Sequence, residues 1–207
     1  MQTYPVNKKL DTYEVELPEF WNKIYDGDSV PAWGEAPANA LEKFCLYIPT
    51  GAKILDIGCG AGRNTTALAK QGYTVTGVDL SQSAIDIAKA KESEATFFCL
   101  DALNDKLPGN NYDAVFDFGL YHFIPTEHRE KYLQRIYDVL VTEGLYCSQS
   151  GRAVDKELST EEYKPPQLQK EEIENTIFDT AYLQPDLLPS FKEWGDYPCW
   201  NYIGKKV

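Results

Sequence analysis

Histidine is nearly absent from this chain: His122 and His128 are the two found among 207 residues. Six positions apart, they do not share one helix face as a pair of zinc ligands must, so no metal centre is expected. Cysteine is sparse as well. Cys45, Cys59, Cys99, Cys147 and Cys199 are odd in number, widely spaced and never arranged Cys-x-x-Cys. That excludes a disulfide framework and fits reduced thiols in a cytoplasmic protein. No apolar run approaches the roughly 20 residues needed to span a bilayer, and Met1 to Lys9 lack an apolar secretory core. The expectation is a cytoplasmic location without membrane contact. Positive charge is also short: 20 Lys and Arg stand against 32 Asp and Glu, a formal net charge of −12. A polyanion is repelled by such a chain, and no basic stripe interleaved with aromatics offsets this, so a nucleic-acid partner is not expected. Neither a P-loop nor a Gly-x-Ser-x-Gly elbow occurs.

What is present begins with Ile54-Leu55-Asp56-Ile57-Gly58-Cys59-Gly60-Ala61-Gly62. The apolar run from Lys53 to Ile57 reads as a buried parallel strand. Gly58, Gly60 and Gly62 then form a turn that a ligand can approach without meeting a Cβ. Asn64 to Lys70 resumes a helical pattern. Strand, glycine turn and helix in this order make a nucleotide-type site in an α/β sheet. A dinucleotide fingerprint requires Gly-x-Gly-x-x-Gly; here the third glycine comes one residue early and Asp56 precedes the first. A carboxylate at that point repels a pyrophosphate and suits a positively charged ligand. A second strand, Tyr73 to Val78, ends in Asp79, about 20 residues on, where ribose hydroxyls are read. A third, Ala95 to Cys99, is closed by Leu100-Asp101-Ala102. Three acids at three strand tips suit an adenosyl group with a sulfonium and no phosphates.

The remaining pattern supports one domain with an apolar content of 43% and aromatics at 13%. Leu17, Phe20, Trp21 and Ile24 have helical spacing, with Pro18 expected in the first turn. Val30 to Pro37 is too rich in proline and glycine for regular structure, and Leu41, Phe44, Cys45 and Ile48 repeat the helical spacing. Ser81 opens a helix, Tyr112 to Phe118 is strand four, and Leu133, Ile136, Tyr137 and Leu140 mark a helix stopped near Gly144. Strand five follows at Leu145 to Ser148. Asp155 to Glu172 reads as a charged surface excursion, Lys170 to Phe178 as a last helix, and Ala181 to Gln184 and Trp200 to Gly204 as two strands. The alternation predicts a doubly wound, mostly parallel seven-stranded α/β sheet, with residues 1–48 as an N-terminal helical cap and 49–207 as the sheet core. Right-handed crossovers place the glycine turn, Asp79, Asp101 and Asp117 on one carboxyl edge.

Asp-x-Gly-Cys-Gly-x-Gly, Val-Asp-Leu-Ser and Asp-Ala, in that order, resemble the class I S-adenosylmethionine-dependent methyltransferases. The resemblance implies S-adenosylmethionine as cofactor, Gly58 and Gly60 against its methionyl part, Asp79 on the ribose, Asp101 and Ala102 at the adenine, and Asp56 near the methionine amino group. Cys59, Arg63, Leu80, Ser81, Asp117 and Phe118, which stand in or beside these motifs, are implied as cofactor neighbours. The methyl acceptor then lies beyond strand four, so Asp117 to Pro125 is the expected source of acceptor contacts. His122, with Tyr121 behind it, is the candidate general base. His128 is expected to be exposed at a helix start, and Cys59, close to Asp56, is expected to fill the turn rather than to attack an electrophile.

Phe20-Trp21, Tyr25 and Trp33-Gly34, together with Gly60 to Asn64 and Gly119-x-x-His122-x-Ile-Pro, resemble one branch of small-molecule enzymes. It contains thiopurine S-methyltransferase, halide and thiol methyltransferases and tellurite-resistance methyltransferases. That resemblance implies Trp33 against the cofactor, where an aromatic face attracts a sulfonium, and Trp21 and Tyr25 near the acceptor. The expected function is methyl transfer to a small soft nucleophile: a thiol, halide or chalcogen species. Two alternatives stay open, an O- or N-methyltransferase of a small metabolite and a cofactor-binding regulator without turnover. A monomer or weak homodimer is expected.

Overall fold

The computed structural model describes residues 13–26, 34–152, 168–174, 176–187 and 198–207. Seven strands form one sheet: β1 (Lys53–Ile57), β2 (Thr74–Asp79), β3 (Thr96–Cys99), β4 (Tyr112–Phe118), β5 (Leu140–Arg152), β6 (Asp179–Leu187) and β7 (Pro198–Lys205). Their order is β3-β2-β1-β4-β5-β7-β6. Neighbours are parallel from β3 to β5, and β7 runs antiparallel to both β5 and β6. The order reverses between β1 and β4, which opens a crevice at their carboxyl ends.

The strands alternate their side chains between two helical layers. Ile54, Ala114, Phe116, Cys147 and Ile203 pack with Leu41 and Phe44 of α2 (Ala40–Cys45) and Leu68 of α3 (Arg63–Lys70). Leu55, Ile57, Val115 and Tyr146 pack on the other face with Tyr132, Leu133 and Ile136 of α5 (Thr126–Val139). Both faces of β1 and β4 are thereby covered, which is why these strands read as continuous apolar runs. Each such side chain contributes about 1.5–3 kcal/mol on burial. Helix α4 (Gln82–Ala90) is started by Ser81, whose Oγ accepts the Ala84 N–H at 3.1 Å, and it buries Ala84, Ile85 and Ala88.

Several boundaries differ from expectation, three of them near the site or the chain's last strands. Helix α1 (Tyr13–Tyr25) begins ahead of Leu17, so Pro18 lies inside it rather than in its first turn. Strand β5 starts at Leu140, directly after α5, because Thr142-Glu143-Gly144 is held by the chain end: Glu143 N–H donates to the Lys206 carbonyl and Lys206 N–H to that of Gly144, both at 2.9 Å. The Lys206 ammonium also donates to the carbonyls of Tyr137 and Leu140 at the end of α5 (2.6 and 2.8 Å), a favourable cation at a helix C-terminus. The last helix, α6, is Lys170–Glu174 and stops short of Phe178, whose ring packs against Tyr137 and Tyr146. Most of the charged excursion, residues 153–167, lies outside the described residues.

Candidate active site

The chain leaves β1 through Gly58, Gly60 and Gly62, at φ 74°, 54° and 75°. The Gly58 and Cys59 N–H groups both donate to the Val78 carbonyl (2.8 and 2.9 Å), which fastens the turn to the tip of β2. Asp79 fastens it again: its Oδ2 accepts the Gly60 N–H at 2.8 Å and its Oδ1 the Ser81 N–H at 2.9 Å. One carboxylate thus joins the glycine turn to the start of α4. Burial pushes the Asp79 carboxyl above the usual carboxylate range despite the backbone donors from Ser81, Gly60 and Leu80. A Cβ on Gly58 would stand 2.9 Å from that of Leu120, and one on Gly60 would collide with the Tyr25 hydroxyl. Cys59 turns inward and packs with Ile85, Ala88 and Phe97; burial, with Asp79 and Asp56 nearby, raises its thiol well above the ordinary value. Its packing fills the space behind the turn.

Asp56 sits on the α3 face of β1, 1% exposed, and accepts the Thr65 hydroxyl at 2.5 Å. Burial pushes its carboxyl up to about 7; the Thr65 bond opposes this, Asp117 adds to it, Arg63 opposes it and Asp79 adds to it. The Arg63 guanidinium donates to the Ala36 carbonyl at 2.8 Å. At the tip of β3, Asp101 caps its own turn, accepting the Leu103 N–H at 2.7 Å and the Asn104 amide at 2.9 Å. Arg135 holds the neighbouring Ala102 carbonyl at 2.7 Å. Leu80 is half-buried, and its carbonyl accepts the Cys99 thiol at 3.5 Å.

The end of β4 departs from expectation most. Asp117, fully buried, accepts the N–H groups of Leu120 and Tyr121 (2.8 and 3.2 Å) and the hydroxyls of Tyr132 and Tyr146 (2.8 and 3.0 Å). A carboxylate with four internal donors braces the loop to α5 and β5 and is not offered to a ligand. Period-two alternation explains the difference: Asp117 follows Val115 onto the α5 face, whereas Asp56 follows Ile54 onto the α3 face. Phe118 follows Phe116 and packs on Phe44 with centroids 5.7 Å apart. Tyr121 opens a single 3₁₀ turn, Tyr121–Phe123. Its hydroxyl donates to the Glu172 carbonyl at 2.9 Å, its ring lies 5.1 Å from the Arg129 guanidinium, and burial pushes its hydroxyl up to about 12. Tyr121 therefore points into the core, and neither the catalytic nor the acceptor role expected of it suits that place.

His122 is 8% exposed, stacks on Phe123 with centroids 4.3 Å apart, and accepts the Gly151 N–H at Nδ1 over 3.1 Å. Burial, and then the Arg129 charge, push its pKa down to about 3. A neutral imidazole that accepts at Nδ1 carries its proton at Nε2. The nitrogen left over is a donor, so the general-base role expected of His122 is not available in this arrangement. His128 is half-buried in the first turn of α5 rather than exposed.

Helix α1 reaches both halves of the crevice. Trp21 meets Phe123 edge-on at 5.2 Å. Tyr25, expected near the acceptor, instead places its hydroxyl over Gly60. Asn22, which no motif singled out, accepts the Ser81 hydroxyl at 2.8 Å and the Ser83 N–H at 3.2 Å. Thr65 was likewise invisible to motif reading, although, eight residues past Ile57 in the first turn of α3, it had the hydroxyl that a buried Asp56 needs. Trp33 lies outside the described residues.

Residues 54–144 match the family described as a methyltransferase domain. A protein of Geobacillus sp. (strain WCH70) named as a methyltransferase is 36% identical over 140 residues, which cover 65% of this chain and 55% of the relative. The chain thus spans about half the length of that relative. A solved S-adenosylmethionine-dependent methyltransferase from Anabaena variabilis ATCC 29413 shares the fold at a TM-score of 0.75 and 19% identity, over the full length of both chains. So does the 1,6-didemethyltoxoflavin-N1-methyltransferase of Burkholderia thailandensis, solved with 1,6-didemethyltoxoflavin and S-adenosylhomocysteine bound: TM-score 0.70, 20% identity, 100% of this chain and 93% of that one. The matched region runs from inside β1 into β5 and contains the glycine turn, Asp79, Asp101 and the His122 loop, so over this stretch the chain is similar to methyltransferase domains.

Proposed function

We propose that this protein transfers the methyl group of S-adenosylmethionine to a small acceptor with a soft nucleophilic atom, a thiol, halide or chalcogen species. The observation that carries the cofactor half of this reading is the Asp79 carboxylate at the tip of β2, which joins the Gly60 and Ser81 N–H groups. Each of its oxygens has a lone pair left for a ribose hydroxyl. Asp56, forced up to about 7 by burial among other acids, suits the ammonium of a methionine moiety, which would restore its charge. Gly58 and Gly60 would receive the methionyl part, and Asp101 with Ala102 the adenine. When bound, the cofactor supplies an electrophilic methyl carbon on a sulfonium.

The protein's own task is alignment and exclusion of water, and near-attack positioning supplies about 7–11 kcal/mol in such reactions. Trp21 and Phe123 form the wall beside the acceptor loop, and α1 acts as a cover over the crevice; the contacts of Asn22 and Tyr25 support that reading. The aromatic surroundings favour a compact acceptor over a macromolecule. Calorimetry with S-adenosylhomocysteine, NAD and ATP tests the cofactor, and turnover of S-adenosylmethionine against thiols, halides and phenols tests the acceptor. We expect binding of the first ligand alone and turnover on thiols or halides. Binding of NAD or ATP in its place overturns the reading, and tight binding without turnover on any acceptor points to a regulator.

A further inference from the structure

Among the polar side chains of the loop from Asp117 to Pro125, none presents a free proton acceptor. The Asp117 oxygens take four internal donors. The Tyr121 hydroxyl is committed to the Glu172 carbonyl. His122 is held by two restraints: the Gly151 N–H on Nδ1 and the tilted Phe123 ring packed against it at 4.3 Å. Nε2 has no hydrogen-bond partner among the described residues, in a side chain that is nine-tenths buried beside the loop where the acceptor is placed. This N–H is not sealed in the core, since Thr66 Oγ1 and Asn201 Nδ2 are the enclosed side-chain atoms without a partner among the described residues, and an accessible donor is suited to a ligand.

We infer that His122 is a fixed hydrogen-bond donor to the methyl acceptor, and that the acceptor enters as an anion, an ionised sulfur or oxygen nucleophile or a halide, with no general base from this loop. The inference rests on the methyltransferase reading and narrows its acceptor class. The balance needs no proton transfer: a lone pair of the anion forms the bond to the methyl carbon, the carbon–sulfur bond breaks, and its electrons neutralise the sulfonium. The products are the methylated acceptor and S-adenosylhomocysteine. An amine acceptor would instead have to shed a proton, for which this loop offers no recipient. The low basicity of His122, caused by burial and by Arg129, agrees with a group that keeps one proton throughout.

With two histidines in the chain, nitrogen-15 resonances of the full-length protein are assigned by comparison with His128→Gln. We expect His122 to remain neutral with its proton on Nε2 from about pH 5 to about pH 8. A proton on Nδ1, or titration near pH 6.5, overturns the inference. Next, 4-nitrothiophenol and 4-nitrophenol are titrated into the protein loaded with S-adenosylhomocysteine. We expect their ionised forms to shift the Nε2–H signal, His122→Phe to bind them about tenfold more weakly, and His122→Gln, which keeps a donor, to stay within about threefold. Unchanged affinity in His122→Phe, or no response of the Nε2–H to either anion, overturns it. Failure to bind S-adenosylhomocysteine at all is a separate outcome and counts against the methyltransferase reading.

Discussion

Single residues at the strand tips divide into those proposed to meet a ligand and those that brace the frame. Asp79→Ala removes the acceptor for two backbone N–H groups and, in the proposed site, for the ribose, so S-adenosylhomocysteine should bind about 2–4 kcal/mol more weakly. Calorimetry on folded protein reads this directly, and an unchanged dissociation constant would take Asp79 out of the site. Asp56 makes a prediction about pH. Its folded carboxyl titrates at about 7 against an ordinary value of 3.8, so the folded chain binds this proton more tightly than the unfolded one. The stabilisation is fully present below about pH 4 and is lost as pH rises through about 7, a difference of about 4 kcal/mol. His122 acts oppositely: its pKa is lowered to about 3 from 6.5, so its contribution is present above about pH 6.5 and lost as pH falls. Denaturant unfolding of wild type against Asp56→Asn isolates the first effect. The wild type should lose stability relative to the variant between about pH 4 and about pH 7, and parallel curves would contradict a buried, protonated Asp56. A cationic ligand beside Asp56 should also release a proton near neutral pH.

At the scale of elements, α1 is joined to the glycine turn and to the start of α4. Asn22 bonds Ser81 and Ser83, and the Tyr25 hydroxyl lies on Gly60. Asn22→Ala should therefore cost about 1–2 kcal/mol and speed amide exchange in α1 while β1 and β4 keep their protection. Equal loss of protection across the sheet would show instead that α1 unfolds only with the whole domain. Gly60→Val adds a branched Cβ where the Tyr25 hydroxyl sits, at a φ of 54° that a branched residue resists. It should displace α1 and abolish cofactor binding together. Most elements were legible in sequence because a 3.6-residue or continuous apolar pattern marks them locally. The start of β5 was not: the Thr142–Gly144 segment pairs with Lys206, more than sixty residues away, and no local pattern reports such a partner.

For the whole molecule, ligand binding and stability are linked. At a concentration near 100 times its dissociation constant, S-adenosylhomocysteine stabilises by about 2.7 kcal/mol, which for a chain of this size raises the melting temperature by about 5–10 °C. NAD and ATP at equal concentration should leave it unmoved, and an equal shift with either would contradict a site built for a phosphate-free cation. The acid excess of the sequence agrees with that preference at long range. By itself the sequence determined the alternating architecture, the carboxyl-edge crevice and the chemical kind of ligand, because strand runs, glycine turns and acids at strand tips are written in consecutive residues. Tertiary structure alone decided which of those acids faces the crevice and which proton His122 carries. Both depend on groups from distant segments: Thr65 under Asp56, Tyr132 and Tyr146 around Asp117, and the Gly151 N–H on Nδ1. A strand tip presents its acid to one helical layer or the other by a two-residue period, and only the packed layers reveal whether hydroxyls or a ligand await it there.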